Sequence, residues 1–186
     1  SPPPPNADTE IVHILNCRDR TSGAINNVFG EPTWVVPGEM ALAAVALAIM
    51  GYHEEATQAC AWLASVQDPA DGAWFNQYDH ETPTNAGKSP RHTAQVLMAF
   101  YQCGYQNRMA VENGLSYLQD CIVNSCDPAD ACLGGGKDES GAWIETEWLS
   151  DNVYAAKAFE YYGLITEANK IKATINSEFL NTALGA

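Results

Sequence analysis

The sequence predicts an all-α fold built from three repeated helix–turn–helix hairpins. Three segments, residues 40–63, 93–118 and 152–175, can be aligned on a glycine in each. In every segment an almost wholly apolar stretch precedes the glycine, and a more amphipathic stretch follows it. The first pattern indicates a helix buried on all sides and the second a helix on the outside. No run of alternating polar and apolar residues predicts a strand.

The aligned glycines are Gly51, Gly104 and Gly163, spaced by 53 and then 59 residues. An alanine stands five positions before each glycine, and a large apolar residue stands four positions before it. Glycine just past the end of a helix readily adopts the left-handed conformation that stops the helix. Each repeat is therefore predicted to be an inner helix, a glycine turn and an outer helix.

Prolines support these boundaries, because Pro37 and Pro90 stand where the first turn of an inner helix is expected. The hairpins are predicted at about 38–66, 90–123 and 149–180, within one repeat domain at 34–186. Residues 1–33, which open on Ser-Pro-Pro-Pro-Pro, are predicted to be an extended lead-in, starting from a spacer or a processed terminus.

Composition and charge limit the classes of partner. The chain has 186 residues, of which 46% are hydrophobic and 17% charged, which is typical of one globular domain. A net charge of −14 argues against nucleic acid and anionic membranes, and favours a neutral or cationic partner. The apolar stretch at 40–50 is too short to cross a bilayer. We therefore predict no nucleic-acid binding and no membrane insertion.

Six cysteines are many for this length, and no CxxC motif is present. An even number favours disulfides in an oxidising compartment, so we predict a secreted or cell-surface protein. Buried thiols in a cytosolic protein are the alternative. The crowding of Cys121, Cys126 and Cys132 predicts a local disulfide. The candidates for pairing are all six residues: Cys17, Cys60, Cys103, Cys121, Cys126 and Cys132.

Two stretches of the sequence are similar to motifs of known helical-repeat proteins. The first, "WLASVQDPADGAW", is similar to the Gln-to-Trp loop of terpenoid-cyclase-type repeats, with one extra residue. The second, "TEWLSDNVYAAKAFEYYG", is similar to an inner-helix start in six-hairpin glycosidase-like proteins, although Trp148 and Leu149 replace the usual His-Asn. The chain thus resembles the α/α-toroid superfamily, which also includes polysaccharide lyases. Since complete toroids have five to seven hairpins, the resemblance implies a partial toroid or curved helical stack.

The resemblance also implies an active site where the inner helices begin. Glu39, His92 and Asp151 each stand twelve residues before an aligned glycine, and Glu147 lies nearby. In a toroid these positions share one rim, so all four are candidate catalytic residues. Glycosidases need two carboxyl groups, and Glu39 with Asp151 is the first pair to test. The alternative is that these acids simply stabilise helix starts.

Aromatic side chains near this rim suggest sugar binding, because sugar rings stack on aromatic faces. The candidate substrate-binding residues are Trp34, Trp74, Tyr78, His80 and Trp143. For a lyase, His92, Tyr78 and His80 are the candidates for the base and for the group that neutralises charge. The alternative is that the tryptophans pack the loops against the hairpins.

Acidic residues in two "DPAD" segments suggest oxygen ligands for calcium: Asp68, Asp71, Asp127 and Asp130. Asp-Pro also begins ordinary turns, however, and the EF-hand pattern is absent. No cofactor is required, and calcium is the one metal that the pattern suggests.

The repeat and its resemblance suggest two functions. The first is a module that binds carbohydrate or assembles with copies of itself outside the cell, since exposed end repeats favour a homo-oligomer or a partner chain. The second is a glycoside hydrolase or polysaccharide lyase. A terpenoid cyclase is a distant third, because no DxDD or DDxxD cluster is present.

Overall fold

The computed structural model describes residues 7–26, 34–123 and 132–180. These ranges contain seven α-helices, five short strands and a final π-helical segment, Ile175–Leu180. The helices are α1 (Ala7–Cys17), α2 (Pro37–Ile49), α3 (His53–Ser65), α4 (Pro90–Gln102), α5 (Arg108–Val123), α6 (Leu149–Tyr161) and α7 (Ile165–Thr174). The strands are β1 (Trp34–Val35), β2 (Gln77–Asp79), β3 (Thr82–Asn85), β4 (Gly134–Lys137) and β5 (Trp143–Glu147).

Helix pairs occupy the three repeated segments. The inner helices α2, α4 and α6 pack side by side, with α4 in the middle. Each outer helix, α3, α5 or α7, packs against the inner helix of its own pair. The helical periodicity of the sequence therefore located the helices well.

The glycine turns repeat in detail. Gly51, Gly104 and Gly163 have φ values of +88°, +65° and +78°, which confirms the predicted left-handed conformation. In each turn, the residue after the glycine donates its backbone N–H to a carbonyl five residues back at 2.9 Å. The acceptors are Leu47, Phe100 and Phe159, the large apolar residues of the alignment. This bonding pattern is that of a Schellman motif.

The prediction of an all-α fold is wrong, because the structure also contains two small antiparallel sheets. One has the order β1-β2-β3, with Trp34 opposite Asp79, and the other joins β4 to β5. Their strands have two to five residues, and β4 is mostly glycine, so the sequence carries no alternating pattern. Such strands form because the fold brings their backbones together.

The expected partial toroid is also not seen. The described residues form a row of three inner helices accompanied by two sheets, and they show no closed ring. The fold is a mixed helix and sheet structure.

The lead-in was predicted to be extended, but α1 occupies residues 7–17. Ile11 and Cys17 of α1 are buried with residues of α2 in one apolar cluster. Residues 1–6 and 27–33 lie outside the described part of the chain.

The core has two clusters that share α4. Val96, Ala99 and Phe100 belong to the cluster with α2 and α3. Ala94 and Leu97, on another face of α4, belong to the cluster with α5, α6 and α7. Because α4 contributes to both clusters, it joins the first and third helix pairs.

Candidate functional site

The three inner helices begin at the same end of the molecule. At the start of α2, a methyl group added to Gly38 would overlap polar atoms of His92 and Gln95, near the start of α4. At the other end, Gln102 of α4 donates a 2.8 Å hydrogen bond to the hydroxyl of Tyr161 in α6. The helices are therefore parallel. We call the first turns of α2, α4 and α6, with the residues just before them, the shared end.

Two of the four predicted catalytic residues are buried at the shared end. His92 is 8% exposed and Asp151 is 3% exposed. His92 Nδ1 and Asp151 Oδ2 have no hydrogen-bond partner, although Asp151 Oδ1 accepts a 3.2 Å bond from the hydroxyl of Ser150. A buried polar atom without a partner costs free energy, so both side chains are unfavourable to bury in this arrangement.

Burial sets the ionisation of both groups. Burial and, to a smaller extent, the nearby positive charge of Arg91 lower the pKa of His92 to about 4, while contact with Gln95 acts in the opposite direction. Burial also raises the pKa of Asp151, more than its bond from Ser150 and the charge of Arg91 lower it. Each shift favours the neutral form of the side chain.

The other two predicted catalytic residues lie nearer the surface. Glu39 is exposed and borders a cavity of about 160 Å³ between α1 and α2, whose lining also includes His13 and Cys17. Glu147 is half-buried at the end of β5, opposite Gly134. The fold thus places all four residues at or beside the shared end, but His92 and Asp151 are covered.

The predicted sugar-binding aromatics divide into core and surface residues. Trp74 is fully buried, and its indole N–H donates a 2.6 Å bond to the carbonyl of Leu63. Tyr78 is also buried, and its hydroxyl donates to the carbonyl of Val66 at 2.8 Å. A bound sugar would not reach these two rings, so they serve the core.

Trp34, His80 and Trp143 are more accessible. Trp34 is 51% exposed in β1, just before α2. The side chain of His80 is 70% exposed. Trp143 is half-buried and stacks on Tyr117, with ring centroids 6.0 Å apart. Of these, Trp34 presents an open indole face next to an inner-helix start.

One surface aromatic was missed in the sequence. Trp148 directly precedes α6, is 45% exposed and lies over Gly135 of β4. Trp148 is the residue immediately before α6, whereas Trp34 lies three residues before the start of α2. The sequence signal was its position in "TEWLSD", between Glu147 and the start of α6.

The suggested calcium ligands Asp68 and Asp71 bind lysine ammonium groups instead. Lys88 is 6% exposed and contacts both carboxylates, at 2.9 Å for Asp71. Lys137 contacts Asp71 at 2.8 Å. Two cations thus neutralise the two acids. The other two suggested ligands, Asp127 and Asp130, lie outside the described residues. Within the described ranges, no three His, Cys, Asp or Glu side chains group as metal ligands would.

Four of the described cysteines are free thiols in the structure: Cys17, Cys60, Cys103 and Cys121. Cys126 lies outside the described ranges, so the predicted local disulfide remains a prediction. Among the described helices, none is long and apolar enough to cross a membrane.

No protein-family model matches the sequence, and no curated protein matches it either.

Proposed function

We propose that the protein binds a neutral carbohydrate at the shared end. The observation that carries this proposal is the placement of two half-exposed indoles, Trp34 and Trp148, just before parallel inner helices. Exposed tryptophan faces are suited to stacking on sugar rings, since they supply a flat apolar surface at low entropic cost.

Polar groups beside the indoles supply the hydrogen bonds that a sugar needs at its edges. Glu39 and the exposed Arg91 lie in the first turns of α2 and α4, and Glu147 ends β5 just before Trp148. Carboxylates accept and guanidinium groups donate, so the set matches hydroxyl groups of either role. The net charge of −14 disfavours acidic polysaccharides, which makes a neutral glycan the preferred ligand.

The test is binding to a panel of neutral polysaccharides by affinity electrophoresis, followed by calorimetry with soluble oligosaccharides. We expect Trp34→Ala and Trp148→Ala each to weaken binding about tenfold, by roughly the stacking energy of one ring. Tyr101→Ala is the matched control, because Tyr101 is a 53% exposed aromatic near the opposite end of α4. Absence of binding to every glycan, or variants that bind as wild type does, would refute the proposal.

A second candidate is hydrolysis or elimination at the same end, and the observation that favours it is Asp151. A glycosidase general acid needs a raised pKa, and burial raises that of Asp151. Because Asp151 is 3% exposed, this activity requires an opening that admits substrate. Release of reducing ends or unsaturated products, reduced at least 100-fold by Asp151→Asn and by Glu39→Gln, would establish it.

Self-association is the other role that the sequence suggested, and α6 offers a surface for it. Leu149 and Val153, about one turn apart on α6, are 40% and 48% exposed. Sedimentation at several protein concentrations, with and without bound glycan, separates assembly from carbohydrate binding. A monomer under all conditions would exclude assembly. A secreted or surface location remains a prediction that export experiments would test.

A further inference from the structure

Two thiols from different helix pairs are in contact. Cys60 lies in α3, and Cys103 is the residue that ends α4. Their side chains interact with each other within one apolar cluster, where α3 packs against α4. They lie away from the shared end, because Cys103 belongs to the opposite end of the inner helices.

The two thiols differ in accessibility. Cys60 is fully buried, whereas Cys103 is half-buried and lines a cavity of about 580 Å³. The lining includes Ile49 from the end of α2 and His53 from the start of α3. A small molecule in this cavity can therefore reach Cys103 first, with Cys60 behind it.

The more accessible thiol, Cys103, is also the one that ionises more readily. The interaction with Cys60 lowers the pKa of Cys103, while the same interaction and burial raise the pKa of Cys60. Because the thiolate is the nucleophile in exchange reactions, Cys103 is the thiol suited to attack.

We propose that Cys103 and Cys60 form a reversible disulfide by exchange with a small disulfide that enters the cavity beside Cys103. The Cys103 thiolate attacks one sulfur of the small disulfide, and the first thiolate leaves. Cys60 then attacks the sulfur of Cys103 in the mixed disulfide and displaces the second thiolate. The protein is oxidised by two electrons, the small disulfide is reduced by two, and the two cysteine protons end on the released thiols.

The bond would join the first helix pair to the second, since α3 and α4 belong to different pairs. A crosslink between distant parts of the sequence restricts the unfolded chain and stabilises the fold. The oxidised protein should therefore melt at a higher temperature than the reduced protein, by about 5 °C or more.

The experiment treats the full chain with oxidised glutathione, stops exchange with acid, and alkylates the remaining thiols under denaturing conditions. Peptide mass mapping should find Cys60 joined to Cys103 and both protected from alkylation. Dithiothreitol should restore both thiols. In Cys60→Ala, the mixed disulfide cannot be resolved, so one glutathione should remain on Cys103. In Cys103→Ala, Cys60 should stay free because no reagent reaches it.

Cys17→Ala is the matched control. Cys17 is also buried, but its sulfur contacts His13 Nε2 at 3.7 Å rather than another thiol. This variant should form the Cys60–Cys103 bond as wild type does. The proposal is overturned if both thiols remain free in the folded, oxidised wild type. It is also overturned if glutathione persists on Cys103 there, or if either cysteine is joined instead to another.

Discussion

The ammonium group of Lys88 lies 2.9 Å from both carboxylate oxygens of Asp71. Lys88 also contacts Asp68, and Lys137 binds Asp71 from β4. The backbones of Lys88 and Lys137 are also paired, through N–H···O bonds of 2.8 and 2.9 Å. A largely buried cluster of two cations and two anions thus ties the loop after α3 to the start of α4 and to the second sheet.

Replacing Lys88 with Met should lower the free energy of unfolding by about 3–5 kcal/mol, because two carboxylates would lose their buried partner. The control is Arg108→Ala, which breaks a 2.6 Å pair with Glu112 whose Arg108 side chain is 90% exposed. That change should cost at most about 0.5 kcal/mol. Urea unfolding at pH 7 measures both, and equal effects would contradict a structural role for the cluster.

Acid should weaken this cluster. Burial raises the pKa of Asp71, but the hydrogen bonds from Lys137 and Lys88 lower it more, so the net shift is downward. A carboxylate with a lowered pKa stabilises the fold above its unfolded pKa of about 3.9, and this contribution is lost as pH falls further. The stability difference between wild type and Lys88→Met should therefore narrow below about pH 4. A difference that stays constant to pH 2 would contradict this expectation.

His92 should make stability depend on pH in a different window. Its pKa is about 4 in the folded protein and 6.5 in the unfolded chain, so the unfolded chain binds more protons between these values. The contribution of His92 to stability should rise by about 3 kcal/mol from pH 4 to pH 6.5 and then level off. His92→Gln should flatten this rise. His80→Gln, at an exposed side chain, is the control and should leave the profile unchanged.

Asp151→Asn and Asn152→Asp should change the stability of the fold in opposite directions. Because burial raises the pKa of Asp151, its ionisation costs stability as pH rises above the unfolded value. Asp151→Asn should therefore stabilise the protein at pH 7 by about 1–2 kcal/mol, with the gain vanishing below about pH 4.

Asn152, by contrast, is fully satisfied. It accepts a 2.9 Å bond from the N–H of Leu133 and donates a 3.0 Å bond to the carbonyl of Trp148. Asn152→Asp should destabilise by at least about 2 kcal/mol, since it removes a donor and buries a charge. Thermal melts at pH 4 and pH 7 measure both variants. Stabilisation by Asn152→Asp, or destabilisation by Asp151→Asn at pH 7, would contradict the assigned environments.

Trp74 should contribute much more than Trp34 to the stability of the fold. Trp74→Phe removes the donor to the Leu63 carbonyl and the edge contact with Phe100, whose ring centroid is 6.0 Å away. It should cost about 2–4 kcal/mol of stability. Trp34→Phe, at a 51% exposed ring, should cost less than about 0.5 kcal/mol. Chemical denaturation distinguishes them, and equal losses would contradict the core assignment of Trp74.

The helices were predictable because their signals are local. Apolar periodicity, a proline in the first turn and a glycine after the last turn all lie within one segment, and each acts through its own backbone or one helix face. Gly104 illustrates this, since its left-handed φ of +65° follows from the need to stop α4. The alignment of Glu39, His92 and Asp151 also followed from the repeat, and the parallel inner helices place all three at the shared end.

The sequence by itself determined the three helix pairs, their turns and the residues at their starts. Only the tertiary structure decided which of those residues are covered, which strands pair and which charges meet. Trp34 and Trp74 each follow a glycine closely in the chain, yet one is exposed and the other fully buried. Asp71 and Lys137 lie far apart in the sequence but 2.8 Å apart in the fold. Burial and long-range pairing depend on segments distant in the chain, so no local pattern encodes them.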